Sequence, residues 1–152
     1  MIIAFCGHSS YVPTVEYKDC VFNILEHASN NEPPIFYLGE YGQFDRFAYD
    51  CAYTFRGTHT DARLFFITPY HPSALSAERI AFLQKRFDRI LYPALENAPI
   101  RVAISHRNRW IADHADIIIS YVSHRYGGAY AMYKRAKSKG KVIYNLASNT
   151  DI

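Results

Sequence analysis

No stretch of this sequence is apolar over the roughly 18 residues that a membrane-spanning helix needs. The N-terminus also has no basic segment before its short apolar run, so we expect no secretory signal peptide. Cysteine is scarce, and the 3 thiols have no paired spacing, which is typical of a reduced protein of the cytoplasm. The 7 histidines show no ligand spacing with these cysteines, so neither a metal site nor a cofactor is expected.

A strong charge of one sign is absent as well. The net charge is +3, and the cationic residues concentrate in two segments, 101–109 and 125–141. These clusters suit phosphate groups, but they do not form the extended basic groove with interleaved aromatic residues that is typical of nucleic-acid binding. We therefore expect a phosphorylated small molecule as the partner, and we expect neither nucleic acid nor a membrane.

The residues that are present indicate one domain, 1–152, with an α/β fold. With 152 residues, 49% of them hydrophobic, the chain can bury a full core. Apolar runs alternate with helical patterns, which predicts a Rossmann-like three-layer sandwich around a mainly parallel sheet. The runs that we predict as strands begin near Ile2, Ile35, Arg63, Ile100, Asp116 and Lys141.

The segment Asp116–Leu146 carries the clearest strand–helix–strand pattern. Its apolar run Ile117–Ile119 is typical of a strand that is buried on both faces of a parallel sheet. The pair Gly127 and Gly128 then allows a tight turn into a basic amphipathic helix. In a right-handed βαβ unit this turn lies at the carboxyl edge of the sheet, where free N–H groups favour an anion such as phosphate. We predict that Gly127, Gly128 and Ala129 contact a ligand there.

Two further loops follow predicted strands, and open α/β sheets bind their ligands at that edge. In the second loop, Glu40 or Asp45 could bind ribose hydroxyls or act in acid–base chemistry. The alternative for Asp45 is that it only stabilises the positive N-terminal end of a helix. The alternative for the first loop is an ordinary turn. The predicted ligand residues of both loops are Gly7, His8, Ser9, Gly39, Glu40, Tyr41, Gly42 and Asp45.

Two arginines lie shortly before the Asp116 strand. Arg107 and Arg109 could each bind a phosphate with two parallel hydrogen bonds, and the alternative is a solvated basic turn. Cys6 stands next to the first loop but is predicted to be a buried structural residue, because adjacent residues rarely reach the apposition that a thiolate–imidazole pair needs. The residues themselves assign no catalytic group.

Four segments together resemble the SLOG superfamily. They are the segments 7–9 (Gly-His-Ser), 38–45 (Leu-Gly-Glu-Tyr-Gly-Gln-Phe-Asp), 107–110 (Arg-Asn-Arg-Trp) and 126–129 (Tyr-Gly-Gly-Ala). This superfamily includes the Smf/DprA proteins and the Lonely Guy phosphoribohydrolases, and the resemblance is greatest to its small stand-alone YpsA-like branch. The resemblance covers nearly the whole chain. It implies a Rossmann-like fold with a pocket for a nucleotide or nucleotide derivative, commonly in a dimer.

The chain departs from the Lonely Guy pattern at the residue that matters for hydrolysis. These enzymes have an arginine before the strand and the motif Gly-Gly-x-Gly-Thr-x-x-Glu at the helix start. By position Arg107 matches that arginine, whereas Lys134 stands where the resemblance implies the catalytic glutamate. Because a lysine supplies no carboxylate, we predict a nucleotide-binding protein, such as a ligand sensor, without turnover. The alternative is an N-glycosidic hydrolase or transferase acting on nucleoside phosphates, in which Glu40, Asp45 and Arg107 act.

Helical periodicity is strongest from Phe44 to Phe55, where three phenylalanines fall on one face. One helix face does not easily bury so many aromatic side chains, so we predict a homodimer that covers part of it. The alternative is that the whole apolar stripe packs on the sheet.

Overall fold

The computed structural model describes residues 1–11, 13–95 and 98–147, and within them the chain forms one six-stranded sheet. Every neighbouring pair of strands is parallel, and their order across the sheet is β4-β3-β2-β1-β5-β6. The predicted Rossmann-like α/β sandwich is therefore confirmed. The strands are β1 (Ile2–Gly7), β2 (Ile35–Leu38), β3 (Arg63–Ile67), β4 (Arg89–Leu91), β5 (Ile117–Tyr121) and β6 (Val142–Asn145).

Helices cover both faces of this sheet, which gives the three layers. In the central strand β1, Ile3 and Phe5 pack into one hydrophobic cluster, whereas Ala4 and Cys6 pack into the other. This alternation follows from the period of two in a strand, and it requires that both faces be apolar. The helices of the first cluster are α1 (Val15–Ala28), α2 (Gln43–Thr58) and α3 (Ala77–Arg86), and those of the second are α4 (Ala103–His114) and α5 (Gly127–Ser138).

One predicted strand is wrong and one observed strand was missed. The run at Ile100 forms a short 3₁₀ turn that leads into α4, and the Ile100 side chain is 80% exposed. The strand that we did not predict, β4, lies where the helical periodicity of α3 continues in the sequence. Asp88 instead joins this segment to β3. Its backbone N–H donates to the Leu64 carbonyl at 2.8 Å, and its carboxylate accepts from the Leu64 N–H at 2.7 Å. These tertiary bonds override the local helical period.

The aromatic stripe of α2 is buried within this one chain. Phe44, Phe47 and Phe55 all belong to the core cluster between α2 and the sheet. The face on which we based the homodimer is thus covered by the sheet, as the alternative reading proposed. A homodimer stays a prediction, but this stripe does not supply its surface.

The connectivity places a crevice at the carboxyl edge of the sheet. Strand β1 is central: the chain runs outwards from it through β2, β3 and β4 on one side, and it then crosses over to β5 and β6 on the other. Neighbouring loops diverge at such a reversal of strand order, and open α/β sheets bind their ligands there. No helix in the described part of the chain has both the length and the apolar character to cross a membrane.

Gly7, at the end of β1, packs against the ring of Phe44, and a Cβ built there would overlap that ring. We expect Gly7→Ala to lower the free energy of unfolding by about 1–3 kcal/mol through overpacking. Gly57→Ala is the matched control, since a Cβ on this residue of α2 meets no atom within 4 Å. That control should raise stability by about 0.5–1 kcal/mol. Chemical denaturation measures both values, and equal stabilities for Gly7→Ala and wild type would contradict this packing.

Candidate functional site

A cavity of about 400 Å³ lies in the crevice between β1 and β5. Its walls come from the loops after β1, β2 and β5, from the first turn of α2 and from the N-terminal halves of α4 and α5. Most of the predicted ligand residues meet there, although they come from four separate parts of the sequence. The predicted residues that line the cavity are Gly7, His8, Ser9, Tyr41, Gly42, Asp45, Arg107, Gly127, Gly128 and Ala129.

Arg107 is the charged centre of this cavity. Its side chain rises from α4 and is only 5% exposed, with Cζ lying 4.8 Å from the centre of the Tyr41 ring. Two of its nitrogens, Nε and Nη2, donate to Asn108 Oδ1 at 3.1 Å and 2.7 Å. The third, Nη1, is buried without a hydrogen-bond partner. The guanidinium is therefore held in place by a neutral amide, which does not balance its charge.

No carboxylate in the described residues forms an ion pair with Arg107. The nearest candidate, Asp45 in the first turn of α2, accepts a hydrogen bond from the Tyr41 N–H at 2.9 Å. A Cβ built on Gly39 would lie 2.7 Å from both Arg107 Nη1 and Asp45 Oδ2, so a larger residue there would displace one of these side chains. Burial lowers the pKa of Arg107, and the Asp45 charge partly opposes this effect. The site thus holds a desolvated cation with an incomplete set of partners.

The start of α5 adds a second element that favours an anion. Tyr126 precedes the helix in an extended conformation, its side chain caps no backbone group, and the first turn contains no acidic residue. The free N–H groups and the positive end of the helix dipole therefore have no anionic partner from this part of the chain. Gly127 has φ +84°, a left-handed conformation that strains residues with a Cβ. The glycine pair thereby turns the chain into the helix at the cavity wall.

Three aromatic rings form a column along another wall of the cavity. The rings of His8 and His124 stack with centroids 3.4 Å apart, and Tyr126 lies 3.9 Å from His124. His8 Nε2 accepts a hydrogen bond from the Ser123 N–H at 3.1 Å, which fixes the inner end of the column. Burial, and then the neighbouring His124, lower the pKa of His8. His8 is therefore held as the neutral imidazole that this bond requires.

Three predicted ligand residues do not line this cavity. Gly39 lies beneath the Arg107 guanidinium, and Glu40 points away, towards α3, where it pairs with Arg79 at 2.6 Å and Arg86 at 3.3 Å. Arg109 lines a neighbouring groove between α4 and α5, and Lys134, at the position of the implied glutamate, lines the same groove. The two carboxylates of the second loop are thus separated, and only Asp45 reaches the cavity.

The cysteine next to the first loop has a structural environment. Cys6 is buried, its Sγ donates to the Ala129 carbonyl at 3.0 Å, and burial raises its pKa to about 12. A thiol with so high a pKa is not a nucleophile at neutral pH. All three cysteines are free, and no group of three potential metal ligands occurs among the described residues.

Asn108, His124 and Tyr126 line the cavity but were not predicted as ligand residues. Asn108 follows Arg107 directly, and a buried arginine needs an acceptor close by, so this pair could have been found from the sequence. The roles of His124 and Tyr126 depend on how the loop after β5 folds back over His8. The sequence contains no local signal for that contact between residues 116 positions apart.

No protein-family model and no curated protein sequence matches the chain. Solved structures do. DNA processing protein A (DprA) from Helicobacter pylori, studied for its mode of binding single-stranded DNA, aligns with a TM-score of 0.64 and 16% identity. The alignment covers 99% of this chain and 67% of that protein. DprA from Streptococcus pneumoniae aligns with a TM-score of 0.64 and 15% identity, over 94% of this chain and 49% of its own length.

The chain shares the fold of the aligned part of DprA. This likeness supports the SLOG resemblance at the level of the fold, and it does not distinguish the YpsA-like branch. It also corrects the expectation that nucleic acid is not a partner. That expectation is wrong, because the shared fold belongs to a protein with a described mode of binding single-stranded DNA. The absence of an extended basic groove in the sequence is therefore not evidence against nucleic acid.

The neutral state of His8 predicts a pH dependence of stability. Folding lowers the pKa of His8. The contribution of neutral His8 to stability is therefore complete above the pKa of the unfolded chain, about 6.5, and is lost as the pH falls below that pKa. In His8→Gln, the amide oxygen can still accept from the Ser123 N–H but does not titrate. Thermal melts from pH 8 to pH 5 should show a smaller loss of stability in this variant than in wild type. Parallel profiles would contradict a neutral buried His8.

Proposed function

We propose that this protein binds a nucleotide or a nucleotide derivative, with its phosphate between Arg107 and the start of α5. The observation that carries this proposal is the buried guanidinium of Arg107, which lines the cavity without an ion-pair partner among the described residues. A buried charge without an ion-pair partner lowers the free energy of unfolding by about 2–5 kcal/mol. An anion that binds in the cavity would pair with this charge and restore the lost stability. The unpaired charge therefore indicates that the ligand is an anion.

Phosphate fits this arrangement better than a carboxylate does. A tetrahedral group has enough oxygens to accept from the guanidinium and from the free N–H groups after Tyr126 at the same time. The Asn108 amide holds Arg107 through its oxygen, at 2.7 Å from Nη2, so its own NH₂ group remains available near Gly128. The nucleoside would then extend along the cavity, which has the volume of a small-ligand site.

The fold adds support for a nucleotide rather than another phosphorylated molecule. Crevices at the reversal of strand order in open α/β sheets are frequent nucleotide sites, with phosphate at a helix N-terminus. The order of motifs resembles that of the SLOG superfamily, and we propose that the chain belongs to its small YpsA-like branch. We propose a cytoplasmic ligand-binding module, such as a sensor.

Turnover is not part of this proposal, because the carboxylates do not support it. Asp45 is the one carboxylate that lines the cavity within the described residues, and its Oδ2 already accepts from the Tyr41 N–H. Glu40 is paired with two arginines on the far side of its loop. An N-glycosidic hydrolase or transferase remains the alternative, with Asp45 as its carboxylate.

Single-stranded DNA is a second candidate, and one further feature favours it besides the DprA fold. A groove between α4 and α5, of about 500 Å³, shares Asn108, Gly128 and Met132 with the cavity. Arg109 and Lys134 line this groove, so positive charge continues beyond the phosphate position. A strand could therefore place one phosphate at Arg107 and continue over the glycine pair. Free nucleotide and strand share the same phosphate chemistry, and binding measurements distinguish them.

Arg107→Met should separate stability from binding. Methionine keeps much of the apolar packing of the side chain but removes the unpaired buried charge, so the ligand-free variant should melt at or above the wild-type temperature. The stabilisation by adenosine 5′-monophosphate, or by a short oligodeoxynucleotide, should disappear. Arg109→Met is the control: loss of the oligonucleotide effect alone would assign Arg109 to a strand-binding groove. A clearly less stable Arg107→Met protein that still binds would contradict the proposal.

The alternative enzyme makes a different prediction for the same ligand. As a binding protein, the wild type should return adenosine 5′-monophosphate unchanged after long incubation, as measured by chromatography. Release of free adenine that stops in Asp45→Asn, while affinity persists, would identify a hydrolase instead. Glu40→Gln is the matched control, since Glu40 lies outside the cavity and should not affect either outcome.

A further inference from the structure

The ring column at the cavity wall ends in an aromatic side chain that has one open face. Tyr126 is 71% exposed, although its ring contacts His124 at 3.9 Å with an angle of 31° between the planes. His124 in turn stacks on His8 at 3.4 Å with an angle of only 8°. The column therefore runs from a buried imidazole to a solvent-exposed phenol ring, and all three rings line the cavity.

The inner part of the column holds the outer ring in position before any ligand arrives. His8 is only 8% exposed and is tied to the Ser123 N–H, so it gives His124 a fixed surface. His124 then limits the rotation of Tyr126. A pre-positioned ring loses little conformational entropy when a second aromatic group stacks on it. Tyr126 thus has the properties of a stacking surface rather than of a freely rotating surface residue.

We propose that Tyr126 is the platform on which a nucleobase stacks, as the fourth ring of the column. This inference rests on the proposed function, which places a phosphate at Arg107 and the start of α5. Tyr126 is the residue directly before Gly127, where α5 begins. Its ring therefore belongs to the residue next to the N–H groups that would hold the phosphate. The ligand class is then a phosphorylated nucleoside with an intact base, and purines, with their larger ring surface, should bind more tightly.

Tyr41, the other tyrosine that lines the cavity, fits this role less well. One face of the Tyr41 ring is covered by the Arg107 guanidinium, at 4.8 Å from its centroid. Its N–H is bonded to Asp45, so this residue belongs to the charged part of the site. Tyr126 has no such contact with Arg107 among the described residues, and a base stacked on it would leave the phosphate position undisturbed.

Two ligands that share a phosphate but differ in the base provide the test. Adenosine 5′-monophosphate and ribose 5-phosphate are titrated calorimetrically into the wild type, Tyr126→Ala and Tyr126→Phe. Removal of the ring should weaken adenosine 5′-monophosphate about tenfold or more, the range for loss of one base–aromatic stack. Ribose 5-phosphate should bind all three proteins equally, and Tyr126→Phe should keep the wild-type affinity for both ligands.

Tyr53→Ala is the matched control for removing an exposed tyrosine. Tyr53 is 55% exposed on α2 and does not line the cavity, so this variant should bind both ligands as the wild type does. A short oligodeoxyadenylate and its abasic analogue repeat the comparison for a strand. If Tyr126→Ala weakens the strand more than the free nucleotide, the ligand is a strand, and the reverse result assigns a free nucleotide.

Three outcomes would overturn the platform. Equal losses of affinity for both ligands would show that Tyr126 acts on the phosphate site, and unchanged affinities would show that no base contacts it. If the wild type binds neither ligand nor strand, the phosphate site itself fails, and the platform fails with it. Only this last result also removes the proposed function, so the two hypotheses are tested separately.

Discussion

The desolvated positive charge of Arg107 is the constraint on which the rest of the site depends. A guanidinium placed in the layer between α4 and the sheet edge would normally have a carboxylate partner, because an unpaired buried charge is costly. Here its fixed contacts are the oxygen of a neutral amide and the face of the Tyr41 ring. Gly39 leaves room for the guanidinium, since a Cβ there would lie 2.7 Å from Nη1. Under the proposed function, an anionic ligand would restore the stability that this unpaired charge costs.

The surroundings of Arg107 show how that incomplete pairing is maintained. Asp45 is close enough to affect the pKa of Arg107, yet its oxygen is used by the Tyr41 N–H. Glu40, the other carboxylate of the loop, is held away by Arg79 and Arg86 on the opposite side. Both acidic groups of this loop thus have other partners. This arrangement keeps the cavity positive at the helix start, where the backbone also favours an anion.

The sequence predicts the sheet and most of the cavity, because both follow from periodic patterns. Apolar runs locate five of the strands, and the positions of loops after parallel strands locate the ligand-binding edge. The errors arise where tertiary contacts override local patterns. The hydrogen bonds between Asp88 and β3 place the residues after α3 in the sheet as β4. The direction of the Glu40 side chain depends on its ion pairs with two arginines of α3. Neither contact has a signature within its own segment of the sequence.

The direction of Glu40 bears on the choice between binding and hydrolysis. A glycosidic bond is broken with the help of a carboxylate that faces the sugar, and such a group needs freedom to accept or stabilise charge. Glu40 shares two cations, and Asp45 has one oxygen committed to the backbone. At the helix position where the resemblance to the Lonely Guy enzymes implies a glutamate, Lys134 lines a different groove. The positive groups of the site converge on the proposed phosphate position, whereas its negative groups do not converge on any one point, and this asymmetry favours a binding protein over a hydrolase.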